Sequence, residues 1–140
     1  MAETDSKDKS DKTPKTKSLP LILKNLKKVF GQNIKGPIVQ REREYKATLK
    51  PGFLQDVVKF LNLRGVTKLA AIHCWETENN IDIAYHFIVP LGNENLDSKI
   101  TIIAFLAKNN REIISIKKLY PNAHQFEKEI AQEFSIIFKE

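Results

Sequence analysis

Cysteine is almost missing from this chain: Cys74 is the only one in 140 residues. A lone thiol excludes an internal disulfide framework and cannot by itself hold an iron–sulfur cluster. Glycine is scarce as well. Gly31, Gly36, Gly52, Gly65 and Gly92 stand in none of the spacings that cradle a phosphate, so no nucleotide loop is expected. No apolar run reaches the roughly 18 residues that a membrane-spanning helix needs. The stretch from Met1 to Ser10 has no apolar core of the kind a secretory signal carries, so a cytoplasmic location is expected.

What is present is an ordinary globular allotment, with 41% hydrophobic residues and eight Phe. That suits one domain whose folded part, about 120 residues, buries a modest core. The formal net charge is +6 and unevenly placed. Residues 1–65 hold fifteen Lys and Arg against seven acids, whereas residues 66–140 hold eight against ten. A basic half of this kind suits nucleic acid, anionic lipid or an acidic protein, and charge alone does not choose among them.

Residues 1–17 are Lys, Asp, Ser and Thr with little that is apolar. They cannot bury enough surface to offset the entropy of ordering, so a disordered tail is expected, followed by one domain over 18–140. Ser18 reads as the cap of a helix reaching Phe30 and stopped by Gly31. Leu19, Ile22, Leu23, Leu26 and Phe30 form its apolar stripe, with Lys24, Lys27 and Lys28 off it. A docking helix with a solvated lysine face is the plain reading, and an interfacial helix touching lipid head groups the sharper one.

Gly36-Pro37 reads as a break before a half-exposed strand over Ile38–Lys50, where Val39, Tyr45, Ala47 and Leu49 alternate with polar neighbours. Pro51-Gly52 then turns into a helix near Phe53–Leu63, with Leu54, Val57, Val58 and Leu61 inward and Gly65 as its stop. Three strands are expected over Lys68–Glu78, Ile81–Val89 and Lys99–Leu106, the first two joined by an Asn79-Asn80 turn. The loop Leu91–Asn95 precedes the third. A short strand, a Tyr120-Pro121-Asn122 break and an acidic helix close the chain. Asn122 is its expected N-cap, and Ala123, Phe126, Ile130 and Phe134 its apolar face. The order points to an α+β fold, a largely antiparallel sheet with flanking helices.

No constellation converges on chemistry. His73 and Cys74 are adjacent on a strand and so point to opposite faces, though His86 on the next strand can approach either. With no second cysteine a zinc site lacks ligands, and Cys74 reads as a small buried residue rather than a nucleophile. Glu127 and Glu129 lie about 200° apart around a helix and do not pair, whereas Glu129 shares a face with Glu133 and with Gln125. Tyr45 and Trp75 are isolated aromatics, short of the stacking platform a nucleic-acid binder uses.

The closing segment carries a resemblance. Ile114, Ser115, Ile116, Tyr120, Pro121, Ala123, Glu127, Glu129, Ile130, Phe134, Ile136 and Phe138 fall in step with the signature of the thirty-kilodalton subunit family of respiratory complex I, the NADH dehydrogenase. The likeness is strongest to its relatives in membrane-bound energy-converting (Ech-type) nickel–iron hydrogenases. Leu69–Ile72 and Ile83–Phe87 are similar to the family's paired central strands. Lys128 stands where the family has Arg, Gln132 where it has an acid, Glu133 where it is apolar, and Ser135 where it has Gly. The resemblance implies a non-catalytic, cofactor-free subunit of the hydrophilic arm of an electron-transport complex. Its partners are then a large catalytic subunit, nickel–iron or quinone-type, and an iron–sulfur subunit, with no nucleic acid and membrane association only through the complex. It also implies that Glu127, Lys128, Glu129 and Glu133 dock on a partner, with no catalytic, cofactor-binding or metal residues. A stand-alone basic nucleic-acid-binding module is the competing expectation.

Overall fold

Alternation and helical periodicity become two packed layers in the computed structural model, which describes residues 19–90 and 97–140. The expected tail over residues 1–17, the Ser18 cap and the loop Leu91–Asn95 lie outside the described residues. Helix α1 (Leu21–Phe30) follows Pro20, buries Leu23 and Leu26 completely and ends at Gly31, whose φ of 51° suits glycine. Strands β1 (Ile34–Arg41) and β2 (Glu44–Leu49) come next, then α2 (Leu54–Leu63). The strands β3 (Lys68–Glu76), β4 (Asn80–Val89) and β5 (Ser98–Ala107) form a meander. The chain closes with β6 (Glu112–Ile114), α3 (Ala123–Phe134) and β7 (Ile137–Lys139).

The main sheet runs in the order β1-β2-β5-β4-β3. Every pairing is antiparallel except β2 with β5, where the meander returns beside the first hairpin. β6 and β7 form a separate parallel ribbon. The period of two sends Tyr45, Ala47 and Leu49, Ile81, Ile83, Tyr85 and Phe87, and Ile100, Ile102 and Ala104 to one face. All are buried, and they share one core with Leu23 and Leu26 of α1, Leu54, Val57, Val58 and Leu61 of α2, and Ala123 and Ile130 of α3. The fold is the expected α+β domain with a mostly antiparallel sheet.

Two expectations need correcting. The single strand over Ile38–Lys50 is a hairpin: Arg41 pairs with Glu44 across a turn made by Glu42 and Arg43, and Arg43 takes φ 59°. Nothing local announced it, because a non-glycine residue at positive φ carries no turn signature. Nor does Gly36-Pro37 end the strand. It lies inside β1 as a cis peptide, with a register shift between Lys35 and Ile38. A Cβ on Gly36 would sit 2.6 Å from the Lys46 carbonyl oxygen, so the close approach of β1 to β2 requires glycine there.

Candidate docking site on the terminal helix

The segment from β6 through α3 is held by polar side chains as much as by apolar ones. Glu127, on the second turn of α3, is only 4% exposed. Its carboxylate accepts a hydrogen bond from the Ser115 hydroxyl at 2.6 Å and another from the Ile116 backbone N–H at 3.0 Å. Ser115 Oγ in turn accepts from the Lys117 N–H at 3.2 Å. A buried acceptor with charge-assisted bonds fixes the loop geometry more tightly than apolar packing of similar size. Of the residues expected to dock, Glu127 is therefore the one turned inward.

Further ties reach back to the rest of the domain. The Tyr120 hydroxyl donates to the Val66 carbonyl, and its ring lies 5.1 Å from that of Phe87. Asn122 does not cap α3 as expected. It has helical φ and ψ, makes no side-chain cap bond, and donates through Nδ2 to the Leu69 carbonyl at 2.9 Å, pinning the break to β3. The first turn of α3 also holds no acid, so the acidic residues owe nothing to the N-terminal dipole. Arg111 donates to the Phe134 carbonyl at 2.7 Å and to the Lys108 carbonyl at 2.9 Å, and lies 3.7 Å from Glu76. Two of these partners, Phe134 and Glu76, are far along the chain, so this part of its role was invisible locally.

With Ala123 and Ile130 buried and Phe126 and Phe134 half-buried, α3 packs against β3. Lys128, Glu129 and Glu133 are exposed, with Glu133 on the flank nearer Cys74 and Lys128 on the flank of His124. Gln125 Nε2 donates to Glu129 at 3.1 Å, as expected for residues four apart. A shallow groove lined by Ser115, Lys117, His124, Lys128 and Phe138 runs alongside. Ser135 ends the helix at φ 57° in the left-handed conformation that glycine adopts most cheaply. That is the position where the resembling signature has Gly.

The remaining candidate residues are placed as their alternation requires. Cys74 faces the core, and burial, helped by the carboxylates of Glu133, Asp82 and Glu76 against an opposing Arg111, pushes its thiol up to about 12. A thiol held protonated is a poor nucleophile and metal ligand. His73 and His86 meet on the opposite face: His73 Nδ1 lies 3.0 Å from His86 Nε2, and His86 Nδ1 lies 2.8 Å from Thr101 Oγ1. Burial lowers the His86 pKa, and His73 and Lys99 lower it further against Glu44. Among the described residues no three His, Cys, Asp or Glu side chains are grouped to hold a metal ion. No described helix is long and apolar enough to cross a membrane.

The fold recurs in solved structures of other proteins. One chain in the structure of the membrane-bound sulfane sulfur reductase, an archaeal respiratory membrane complex, superposes with a TM-score of 0.70 at 20% identity, over 85% of this chain and 70% of that one. The trypsin-resistant fragment (1–134) of Nqo5 superposes with a TM-score of 0.66 at 14% identity, over 84% of this chain and 92% of the fragment. No curated protein matches by sequence. Residues 47–140, from β2 through the whole terminal segment, match the family described as the respiratory-chain NADH dehydrogenase 30 Kd subunit, and the chain belongs to that family.

Proposed function

We propose that this chain is a non-catalytic, cofactor-free subunit of the hydrophilic arm of a membrane-bound energy-converting hydrogenase or a related complex I-like oxidoreductase. It docks on the large catalytic subunit and the neighbouring iron–sulfur subunit of the same complex. The observation that carries this reading is the mounting of α3. Buried Glu127 and Tyr120, together with the Asn122 side chain, clamp it to the domain, while Lys128, Glu129 and Glu133 are left exposed on its surface. The helix backbone that carries these charges is already ordered, so docking does not have to order it. The likeness to a chain of a sulfane sulfur reductase favours a sulfur-reducing complex as the second reading.

The test is co-expression with the other proteins of the complex, followed by recovery through a tag on one of them. Glu129→Lys with Glu133→Lys should leave the isolated chain folded but lower its content in the complex, since opposing a partner's cations with like charge costs several kcal/mol. Lys12→Glu with Lys15→Glu should assemble normally. Unchanged assembly of the helix variant would remove α3 as the docking element. Stoichiometric iron or a flavin band in the purified chain would remove the cofactor-free reading.

A further inference from the structure

All three helices pack on one face of the sheet, and among the described residues no helix packs on the other. The register assigns that bare face without ambiguity. One row crosses it as Ile38, Lys46, Thr101, His86 and Ala71, and the next as Lys35, Thr48, Ile103, Ala84 and His73. The hydrogen-bonded chain His73–His86–Thr101 runs through its centre.

The charge on this face is one-sided. Lys35, Lys46, Lys68 and Lys99 project from it, against the acids Glu44 and Asp82. Both acids are already engaged. Glu44 lies 3.9 Å from Arg41 and 4.0 Å from Lys99, and Asp82 accepts a hydrogen bond from Trp75. Large apolar groups stand at opposite edges: Ile38 on β1 is 49% exposed and Trp75 on β3 is 39% exposed. Between them, Ala71, Ala84 and Thr101 keep the surface low, so a chain segment can lie across it.

We propose that this bare face is a second docking surface, taken by an acidic segment of another subunit that carries apolar side chains for Ile38 and Trp75. The inference rests on the reading of the chain as an arm subunit and adds a partner chemistry opposite to that of α3, which presents acids. Excess cations over committed acids select a carboxylate-rich partner. A strand-stacking role for nucleic acid fits less well, because Trp75, the one exposed aromatic among the described residues, lies beside the Asp82 carboxylate, which repels phosphate.

The experiment uses the complex recovered through a tag on another subunit. A photoreactive benzoylphenylalanine replaces Ile38 or Trp75 on the bare face, and Gln132 on α3 as the reference. Crosslinks from positions 38 and 75 should map to one acid-rich peptide of another subunit. In parallel, Lys46→Glu with Lys68→Glu should lower the chain's content in the complex by about tenfold or more, the effect of opposing like charges at a desolvated contact. If this variant is unfolded by circular dichroism, the crosslinks made on the wild-type lysines decide alone. Crosslinks from 38 and 75 to residues 1–18 or 91–96 of this chain, to a second copy, to RNA or to nothing would overturn the proposal. Gln132 separates the two readings. If it crosslinks to another subunit while 38 and 75 do not, this inference fails and the arm reading stands. If none of the three crosslinks to another subunit, both fail together.

Discussion

Helices α1 and α3 lie on the same face of one sheet and are held by opposite means. α1 is anchored by Leu23 and Leu26, both fully buried, and makes no side-chain cap bond. α3 has Ala123 and Ile130 as its buried apolar residues, but its Glu127 and the flanking Tyr120 and Asn122 also bond specific groups. Apolar burial is non-directional and tolerates sliding, whereas a buried carboxylate between two donors permits one position only. The helix with polar anchors is the one of the two that lies within the matched family segment, and it carries the exposed Lys128, Glu129 and Glu133. In this molecule, adhesion and positioning are assigned to different residues.

Swapping each anchor for a side chain of similar volume sharpens the contrast most. Glu127→Met leaves the buried Ile116 N–H and the half-buried Ser115 hydroxyl without their acceptor and should destabilise the fold by about 3 kcal/mol. Leu26→Met conserves volume and apolarity and should cost less than about 1.5 kcal/mol. Urea unfolding of the two variants measures both. Equal losses would mean that α3, like α1, is held by packing alone.

A smaller effect is expected at Tyr120. Tyr120→Phe keeps the ring against Phe87 but orphans the Val66 carbonyl, at a cost of about 1 kcal/mol. The same unfolding midpoint reads it, and no change would show that the hydroxyl bond adds nothing to the ring contact. The smallest effect has the opposite sign. Ser135 holds a left-handed backbone that glycine adopts freely, so Ser135→Gly should raise stability by about 0.5–1 kcal/mol. A loss there would mean that the serine makes a contact outweighing the strain.

Wherever neighbours in sequence decide the outcome, the elements were legible before the structure. α2 and the meander β3–β4–β5 stand within about two residues of expectation, because Leu54, Val57, Val58 and Leu61 repeat at helical spacing and the strands largely alternate, β3 with a register shift between Leu69 and Ala71. The opposite facing of His73 and Cys74 followed from the same period of two. The hairpin at Arg43 did not, because its left-handed turn is imposed by the β1–β2 pairing and not chosen by the residue.

The docking residues divide along the same line. Sequence alone determined that Glu127 and Glu129 face apart and that Glu129 and Glu133 face together, since helix geometry is local. Only the tertiary structure decided which side is outside. Ser115 and Ile116 arrive beside α3 after the Tyr120-Pro121-Asn122 break reverses the chain. Their two donors make the inward position favourable for a carboxylate that would otherwise seek water. Asn122 was drawn from its expected cap to the Leu69 carbonyl in the same way. The parallel pairing of β6 with β7 likewise needed the whole helix between them to fold back. A polar group's place is set by the partners that come to it, and those lie 11 and 12 residues away for Glu127 and 53 for Asn122.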